Sequence, residues 1–198
     1  MKLKLTLFVA IVCIASSSIA QTQKAKKNVF VPGQKKPELF GIAFTLTDFN
    51  TPKNFGKSNA TTLKIKDMSA GASIYYWKGL TPFIDFTARL NGIFHDYSAN
   101  FANESATTEV GLELEPSVSI RPIKDENVWA PFLTAGLGAG IYSGRMGAYV
   151  PLGVGLQLNA SNTTYFFLQA QYKWAITPKI FDNNLLYSIG FAQNINAK

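Results

Sequence analysis

The stretch TTEVGLELEPSVSIR, residues 107–121, decides the fold because an apolar and a polar set of residues alternate along it. The apolar set is Val110, Leu112, Leu114, Pro116, Val118 and Ile120, and the polar set includes Glu109, Glu113, Glu115 and Arg121. Such alternation predicts a β-strand with one apolar and one polar face. A tilted β-strand needs about 9–11 residues to cross a membrane, and this run is longer. We therefore interpret it as one wall of a membrane β-barrel.

The same alternation recurs along the chain and predicts eight strands, an even number that suits a bacterial single-chain barrel. They span residues 39–48, 69–77, 83–94, 107–121, 130–142, 148–158, 164–175 and 185–195. The predicted fold class is all-β, an eight-stranded antiparallel up-and-down transmembrane β-barrel. Longer and shorter connections broadly alternate. We expect Gly79, Asp125 and Ser161 on the periplasmic side and Lys57, Asn100, Gly144 and Asp182 outside.

The amino terminus predicts export. Residues 1–20 have a basic start, an apolar core and a small-x-small ending, which is typical of a cleaved signal peptide. Its removal lowers the formal net charge from +7 to +5 and also removes Cys13, the one cysteine of the chain. Residues 21–36 are basic and lack periodicity, so they predict a flexible periplasmic leader. Residues 37–198 form the predicted barrel, integral to the cell outer membrane.

A soluble lipocalin-type barrel also has eight strands, but three features favour a membrane barrel. The apolar faces continue over nearly whole strands, and the charged residues lie mid-strand on the opposite faces. Aromatic residues near strand ends are the third feature, since such girdles suit the lipid–water boundary. They are Tyr76, Trp77, Trp129, Tyr172, Trp174 and Tyr187. Pro116 cannot donate to a ladder and therefore predicts a β-bulge.

Three glycine- and aromatic-rich strands carry a family resemblance: PFLTAGLGAGIY (131–142), YVPLGVGLQLN (149–159) and LLYSIGFAQNI (185–195). The mature region resembles the small eight-stranded outer-membrane proteins of the OmpA/OmpX-like superfamily. It is similar in particular to outer-membrane β-barrel domain proteins of Bacteroidetes-type bacteria. The resemblance implies contact with outer-membrane lipids and lipopolysaccharide, and with the barrel-assembly machinery during biogenesis. It leaves the surface partner open.

The polar faces predict a lumen ion-pair network, because an eight-stranded barrel is only just wide enough for its own side chains and buried charges must be paired. Its members are Asp85, Arg89, Glu113, Glu115, Arg121 and Lys173, with Gln157, Gln169 and Gln171 on the same face. If Phe94 lies opposite Thr108, Arg89 lies opposite Glu113, and a slip of two residues substitutes Glu115. We therefore predict that Arg89 pairs with Glu113 or Glu115 near mid-height of the lumen. The alternative is a narrow polar path, with space left by Gly136, Gly138, Gly140, Gly153 and Gly155.

An enzyme is the remote alternative. His95, Ser98 and Glu104 are similar to the triad of outer-membrane lipid A deacylases, but here the His and Ser are three positions apart rather than two. We predict no catalytic residues, no metal and no cofactor, and no nucleic-acid partner. The predicted function is structural, adhesive or surface-interacting, with a lumen plugged by side chains. A narrow conduit for ions or small hydrophobic solutes is the second possibility, and lipid A modification the third.

Overall fold

Nine β-segments and one short helix make up the regular structure of the computed structural model, which describes residues 35–54, 65, 68–96, 108–123, 128–142, 144–161, 163–178 and 180–195. In chain order they are β1 Leu39–Asp48, α1 Asn50–Asn54, β2 Ser69–Gly79, β3 Ile84–Asp96, β4 Thr108–Ile120, β5 Trp129–Gly136, β6 Gly138–Tyr142, β7 Arg145–Ser161, β8 Thr164–Ala175 and β9 Asn184–Asn194. None of the helices in this part of the chain is long and apolar enough to span a membrane.

The segments form a closed antiparallel ring. Apart from β5 and β6, segments that are neighbours along the chain pair with each other, and β1 pairs with β9 to close the sheet. β5 and β6 share one place in the ring, because both pair with β4 on one side and with β7 on the other. The barrel therefore has eight strands, and the predicted fold class is confirmed.

The alternation along β4 determines which side chains face inward. Leu114 is 57% exposed on the outer surface, whereas Glu113 and Glu115 on either side of it are each 1% exposed. Successive side chains of a strand point to opposite faces, so a single strand can present hydrocarbon outward and carboxylates inward. The same inside-out pattern holds around the ring, with the polar faces turned to the lumen and the apolar faces turned outward.

The prediction of a β-bulge at Pro116 is wrong. The pairs Ser117–Gly136 and Leu114–Ala139 keep one register on either side of the proline. The Leu137 amide donates to the Pro116 carbonyl at 3.1 Å, but proline has no N–H with which to return the bond. The neighbouring strand is consequently interrupted at Leu137, between β5 and β6. Losing one hydrogen bond costs less here than shifting a whole register, which would turn polar residues outward.

Strand bounds agree closely with the sequence, with two differences. The sixth strand, predicted over residues 148–158, continues in β7 to Arg145 and Ser161. The predicted loop after β1 begins with helix α1, which is too short to show a helical period. The Asp48 carboxylate caps this helix by accepting from the amides of Asn50 at 2.8 Å and Thr51 at 3.0 Å.

Both described ends of the chain lie at one end of the barrel. The Ile195 amide donates to the Glu38 carbonyl at 3.1 Å, and the Gly79 amide donates to the Lys36 carbonyl at 3.2 Å. Gly79 and Ser161 lie at this end, while Gly144 and Asp182 lie at the opposite end. Lys57, Asn100 and Asp125 lie outside the described residues, as do the predicted signal peptide and the leader up to residue 34, so those predictions stay predictions.

Candidate functional site

Polar side chains fill the lumen in three groups, here called the lower, middle and upper tiers, counted from the end of the barrel that holds Lys36 and Ile195. Each of the six charged residues predicted for the lumen is at most 1% exposed. The strand order along β3 sets the heights, because Asp85 comes first, Arg89 four residues later and Asn91 next. The three side chains point inward on the same face.

The lower tier is centred on the Asp85 carboxylate. Arg121 approaches it at 2.9 Å from Nη2 to Oδ1 and at 2.7 Å from Nε to Oδ2. The Trp77 indole donates to Oδ2 at 3.1 Å. The Lys36 ammonium also lies 2.8 Å from Oδ2 and donates to the Gln157 side-chain oxygen at 2.5 Å. Two cations therefore share one carboxylate at this end of the lumen.

The middle tier is centred on the Arg89 guanidinium. Its Nη2 lies 2.5 Å from the Glu115 Oε2 and also donates to the Gln171 side-chain oxygen. Its Nη1 donates to the Tyr75 hydroxyl at 3.1 Å. Gln171 closes the group by donating to Glu115 Oε1 at 3.0 Å. A guanidinium offers several donors in a fixed plane, which suits it to joining three partners at once.

The upper tier is centred on the Glu113 carboxylate. Lys173 and the Tyr142 hydroxyl both donate to it, and the Asn91 amide donates to its Oε2 at 2.8 Å. Asn91 in turn accepts from the Ser73 hydroxyl at 2.6 Å. The carboxylate thus accepts from donors on three strands, as a buried charge requires.

The third and fourth strands pair in the second of the two registers considered from the sequence, shifted by two residues from the one that places Phe94 opposite Thr108. Arg89 lies opposite Glu115, Asn91 lies opposite Glu113, and Phe94 lies opposite Val110 instead of Thr108. A slip of two positions leaves every side chain on its predicted face, because the side-chain period of a strand is two. The sequence pattern determines the parity of this pairing but not its absolute register.

Trp77 is a second correction, since it was predicted for the lipid–water boundary. It lies in the lumen and is 3% exposed. Counting by two along β2 places Trp77 on the same inward face as Ser73 and Tyr75, so strict parity would have found it. Two further lumenal aromatic residues, Tyr142 and Tyr149, were not predicted as part of the site, and Lys36 was assigned to the leader.

Aromatic rings fill the space beside two of the lumenal glycines, Gly138 and Gly155. A Cβ at Gly138 would collide with the Tyr149 ring, and a Cβ at Gly155 would collide with the Phe132 ring. Phe181 stacks on Tyr149 with ring centroids 4.6 Å apart, near the end of the barrel opposite Lys36. These glycines therefore accommodate large neighbours and do not leave the wall open, as the conduit interpretation had supposed.

A small internal cavity lies between the lower and middle tiers. Its volume is about 10 Å³, and its wall includes Thr87, Arg89, Glu115, Ser117, Phe167 and Gln169. A single water molecule needs roughly 10–15 Å³. The cavity is thus no larger than one water, and Gln169, predicted for the lumen, lines it.

Cations outnumber carboxylates by one in the described lumen. Lys36, Arg89, Arg121 and Lys173 face Asp85, Glu113 and Glu115. Aromatic faces offset part of this excess, because a ring face attracts a cation. The Lys36 ammonium lies 3.7 Å from the Trp77 ring centroid, and the Lys173 ammonium lies 4.9 Å from the Tyr149 centroid.

The candidate triad falls largely outside the described residues. Ser98 and Glu104 are not described, and for His95 only the backbone is, within β3 and opposite Glu109. Within the described ranges, no group of three or more His, Cys, Asp or Glu side chains is placed to hold a metal ion.

No family model and no curated protein matches this chain. Among solved structures, the N-terminal β-barrel domain of Pseudomonas aeruginosa OprF matches with a TM-score of 0.51 and 14% identity, covering 81% of this chain and 98% of that one. Neisserial surface protein A (NspA) matches with a TM-score of 0.52 and 10% identity, covering 82% and 99%. At such low sequence identity, the similarity to these structures shows a shared fold and nothing further. The chain has the fold of the small eight-stranded outer-membrane β-barrels of the OmpA/OmpX-like type.

Proposed function

We propose that this chain is an integral β-barrel of the bacterial outer membrane whose lumen is closed by its own side chains, with a structural, adhesive or surface-interacting role. The observation that carries the proposal is the inside-out distribution of polarity, with paired charges inside and hydrocarbon outside. This arrangement suits a lipid environment and leaves little room for solute flow.

The outer surface supports membrane insertion. Large apolar side chains are more than half exposed on adjoining strands, including Leu114, Leu133, Val154 and Leu168. A contiguous apolar surface of this extent is rare on a soluble monomer. Trp129 begins β5 and Trp174 lies near the end of β8, so two outward-facing indoles stand near opposite ends of the barrel. Aromatic residues at both edges of an apolar band are typical of outer-membrane barrels.

The lumen supports a closed barrel. The lower tier is anchored by Asp85, the middle tier by Arg89 and the upper tier by Glu113, and each tier joins side chains across the interior. Aromatic rings occupy the space between and above the tiers. An ion moving along this path would have to break buried ion pairs one after another, and each break leaves an uncompensated charge.

The conduit and enzyme alternatives have less support. Of the glycines that favoured a conduit, Gly138, Gly140 and Gly155 adjoin aromatic rings, and the cavity between the tiers is about 10 Å³. The enzyme alternative depends on His95 and Ser98, whose spacing would turn their side chains to opposite faces of a strand. We therefore propose a non-enzymatic barrel. Its surface partner would be recognised at the end of the barrel opposite Lys36 and Ile195.

Surface labelling of intact cells tests the location and orientation. The predicted mature chain has no cysteine, so Lys57→Cys and Ser161→Cys each introduce a single thiol. A membrane-impermeant thiol reagent is expected to label Lys57→Cys on intact cells and to label Ser161→Cys only after the outer membrane is permeabilised. Labelling in the reverse order would contradict the orientation. Recovery of the protein in the soluble periplasmic fraction would contradict membrane insertion.

A further inference from the structure

Lys36 enters the lumen from the chain segment that precedes β1. Its side chain is fully buried, although Lys35 beside it is exposed. The segment approaches the rim of the barrel closely at Gly79, where an added Cβ would lie 2.5 Å from the backbone nitrogen of Lys36. A glycine is therefore needed at this position for the backbone of Lys36 to cross the rim and direct its side chain inward.

The surroundings of the Lys36 ammonium form a cage. The Asp85 carboxylate lies 2.8 Å away, and the Gln157 oxygen accepts at 2.5 Å. The Trp77 ring centroid lies 3.7 Å from the nitrogen and the Tyr165 centroid 5.3 Å. An anion, a neutral oxygen acceptor and two aromatic faces are the groups that recognise an ammonium ion.

Contacts that do not involve Lys36 hold this cage in place. Arg121 and the Trp77 indole both donate to the Asp85 carboxylate, at 2.9 and 3.1 Å. The Trp77 ring packs edge-on against Phe132 and Phe167, with centroids 6.0 and 5.8 Å apart. Asp85 therefore remains paired and Trp77 remains packed when the Lys36 side chain is absent. A site that persists without its occupant can accept another occupant of the same chemistry.

We propose that Asp85, Gln157, Trp77 and Tyr165 form an ammonium-binding site, that Lys36 is its tethered occupant, and that the site takes the primary ammonium group of a small alkylamine when the Lys36 side chain is absent. The inference goes beyond the closed-barrel role and depends only on the geometry of the lower tier. It gives the segment before β1 a function, because the Lys36 side chain seals the lumen at the end of the barrel where this segment lies.

Chemical rescue tests the site. The full mature chain is refolded in detergent micelles as wild type, Lys36→Ala and Lys35→Ala, the last being the matched control. Lys36→Ala is expected to lower the midpoint of thermal unfolding by about 5 °C, because it loses an ion pair and a cation–π contact. Propylammonium chloride is expected to recover most of that loss, whereas propanol of the same length is not. Wild type and Lys35→Ala should not respond to either compound.

A second substitution separates specific binding from a general effect of the amine. Asp85→Asn in the Lys36→Ala background removes the anion of the cage and is expected to abolish the rescue. If Lys36→Ala does not fold alone, propylammonium present during refolding is expected to restore the folded form, which propanol does not. Failure of propylammonium to stabilise or refold Lys36→Ala would overturn the proposal. An equal effect of propylammonium on Lys35→Ala would also overturn it.

Discussion

Arg89 shows how much of this barrel depends on single buried side chains. Its guanidinium contacts Glu115, Gln171 and the Tyr75 hydroxyl, so one residue joins three strands across the lumen. The sequence predicted an inward arginine near mid-height with a carboxylate partner, and the structure pairs it with Glu115. The choice between Glu113 and Glu115 needed the register, which parity does not supply.

Replacing Arg89 by alanine is expected to destabilise the barrel, because the Glu115 carboxylate would be left buried without its cation. The expected loss in the free energy of unfolding is on the order of 3–5 kcal/mol, and less if water enters the lumen. Urea unfolding in lipid vesicles, followed by tryptophan fluorescence, measures it. Leu90→Ala is the matched control, since the Leu90 side chain faces outward and leaves the middle tier intact.

The paired replacement Arg89→Met with Glu115→Leu separates the charge from the packing. Removing both members of a buried ion pair is often nearly neutral, so the double variant is expected to be more stable than Arg89→Ala. Wild-type stability in Arg89→Ala would contradict a lumen held together by ion pairs.

His95 is expected to be dispensable. His95→Ala should leave folding, insertion and the lipid A profile of cells unchanged, because the spacing of His95 and Ser98 is unsuited to a triad within a strand. Mass spectrometry of lipid A from cells expressing each form is the measurement. Deacylation that depends on wild-type protein and disappears in His95→Ala would restore the enzyme alternative.

At the scale of the strand, period-two alternation was sufficient to find the strands of the described residues and to divide each into two faces, while the mid-strand charges and the aromatic residues indicated which face points inward. β1 and β8 begin and end where the pattern predicts, at Leu39–Asp48 and Thr164–Ala175. Three features could not be predicted in this way. Register depends on loop geometry, helix α1 is too short to show a period, and the reach of the Lys36 side chain into the lumen is a tertiary contact. Trp77 is a different case. Its position along β2 places it on the inward face, but the prediction gave more weight to its aromatic character.

The interruption between β5 and β6 at Leu137 leads to a prediction about the stability of the barrel. Pro116→Val supplies an N–H that can donate a hydrogen bond to the Leu137 carbonyl, next to the bond from Leu137 to residue 116. In the proposed membrane barrel this seam lies in lipid, where water does not reach the carbonyl, and pairing such a carbonyl is worth about 1–3 kcal/mol. Losing the proline restriction in the unfolded chain costs about 0.4–1 kcal/mol. The variant is therefore expected to be more stable than wild type by about 1 kcal/mol in urea unfolding.

Pro122→Val is the control for this substitution. Pro122 lies in the turn after β4 and outside the ladder, so only the unfolded-state effect should remain. A small loss of stability is expected there. If Pro116→Val is destabilised as much as Pro122→Val, the missing hydrogen bond does not limit the stability of this seam.

At the scale of the whole molecule, closure of the ring and closure of the lumen have a common origin. Eight strands enclose an interior just wide enough for side chains, so the residues that face inward must both fill it and neutralise one another. Asp85, Glu113 and Glu115 meet cations in three separate tiers, while rings such as Tyr149 occupy the space beside glycines. In the proposed membrane barrel, the same alternation would both expose hydrocarbon to lipid and close the lumen with side chains.

Conductance of the refolded wild-type barrel in planar lipid bilayers tests the closed lumen most directly. Folding and insertion are verified first on the same preparation, by the heat-modifiable mobility of the protein in gel electrophoresis. Because each tier blocks the path with buried ion pairs, the inserted protein is expected to give no current steps above the lipid baseline. Reproducible steps of uniform size from verified, inserted wild-type protein would contradict the closed barrel and establish the conduit in its place.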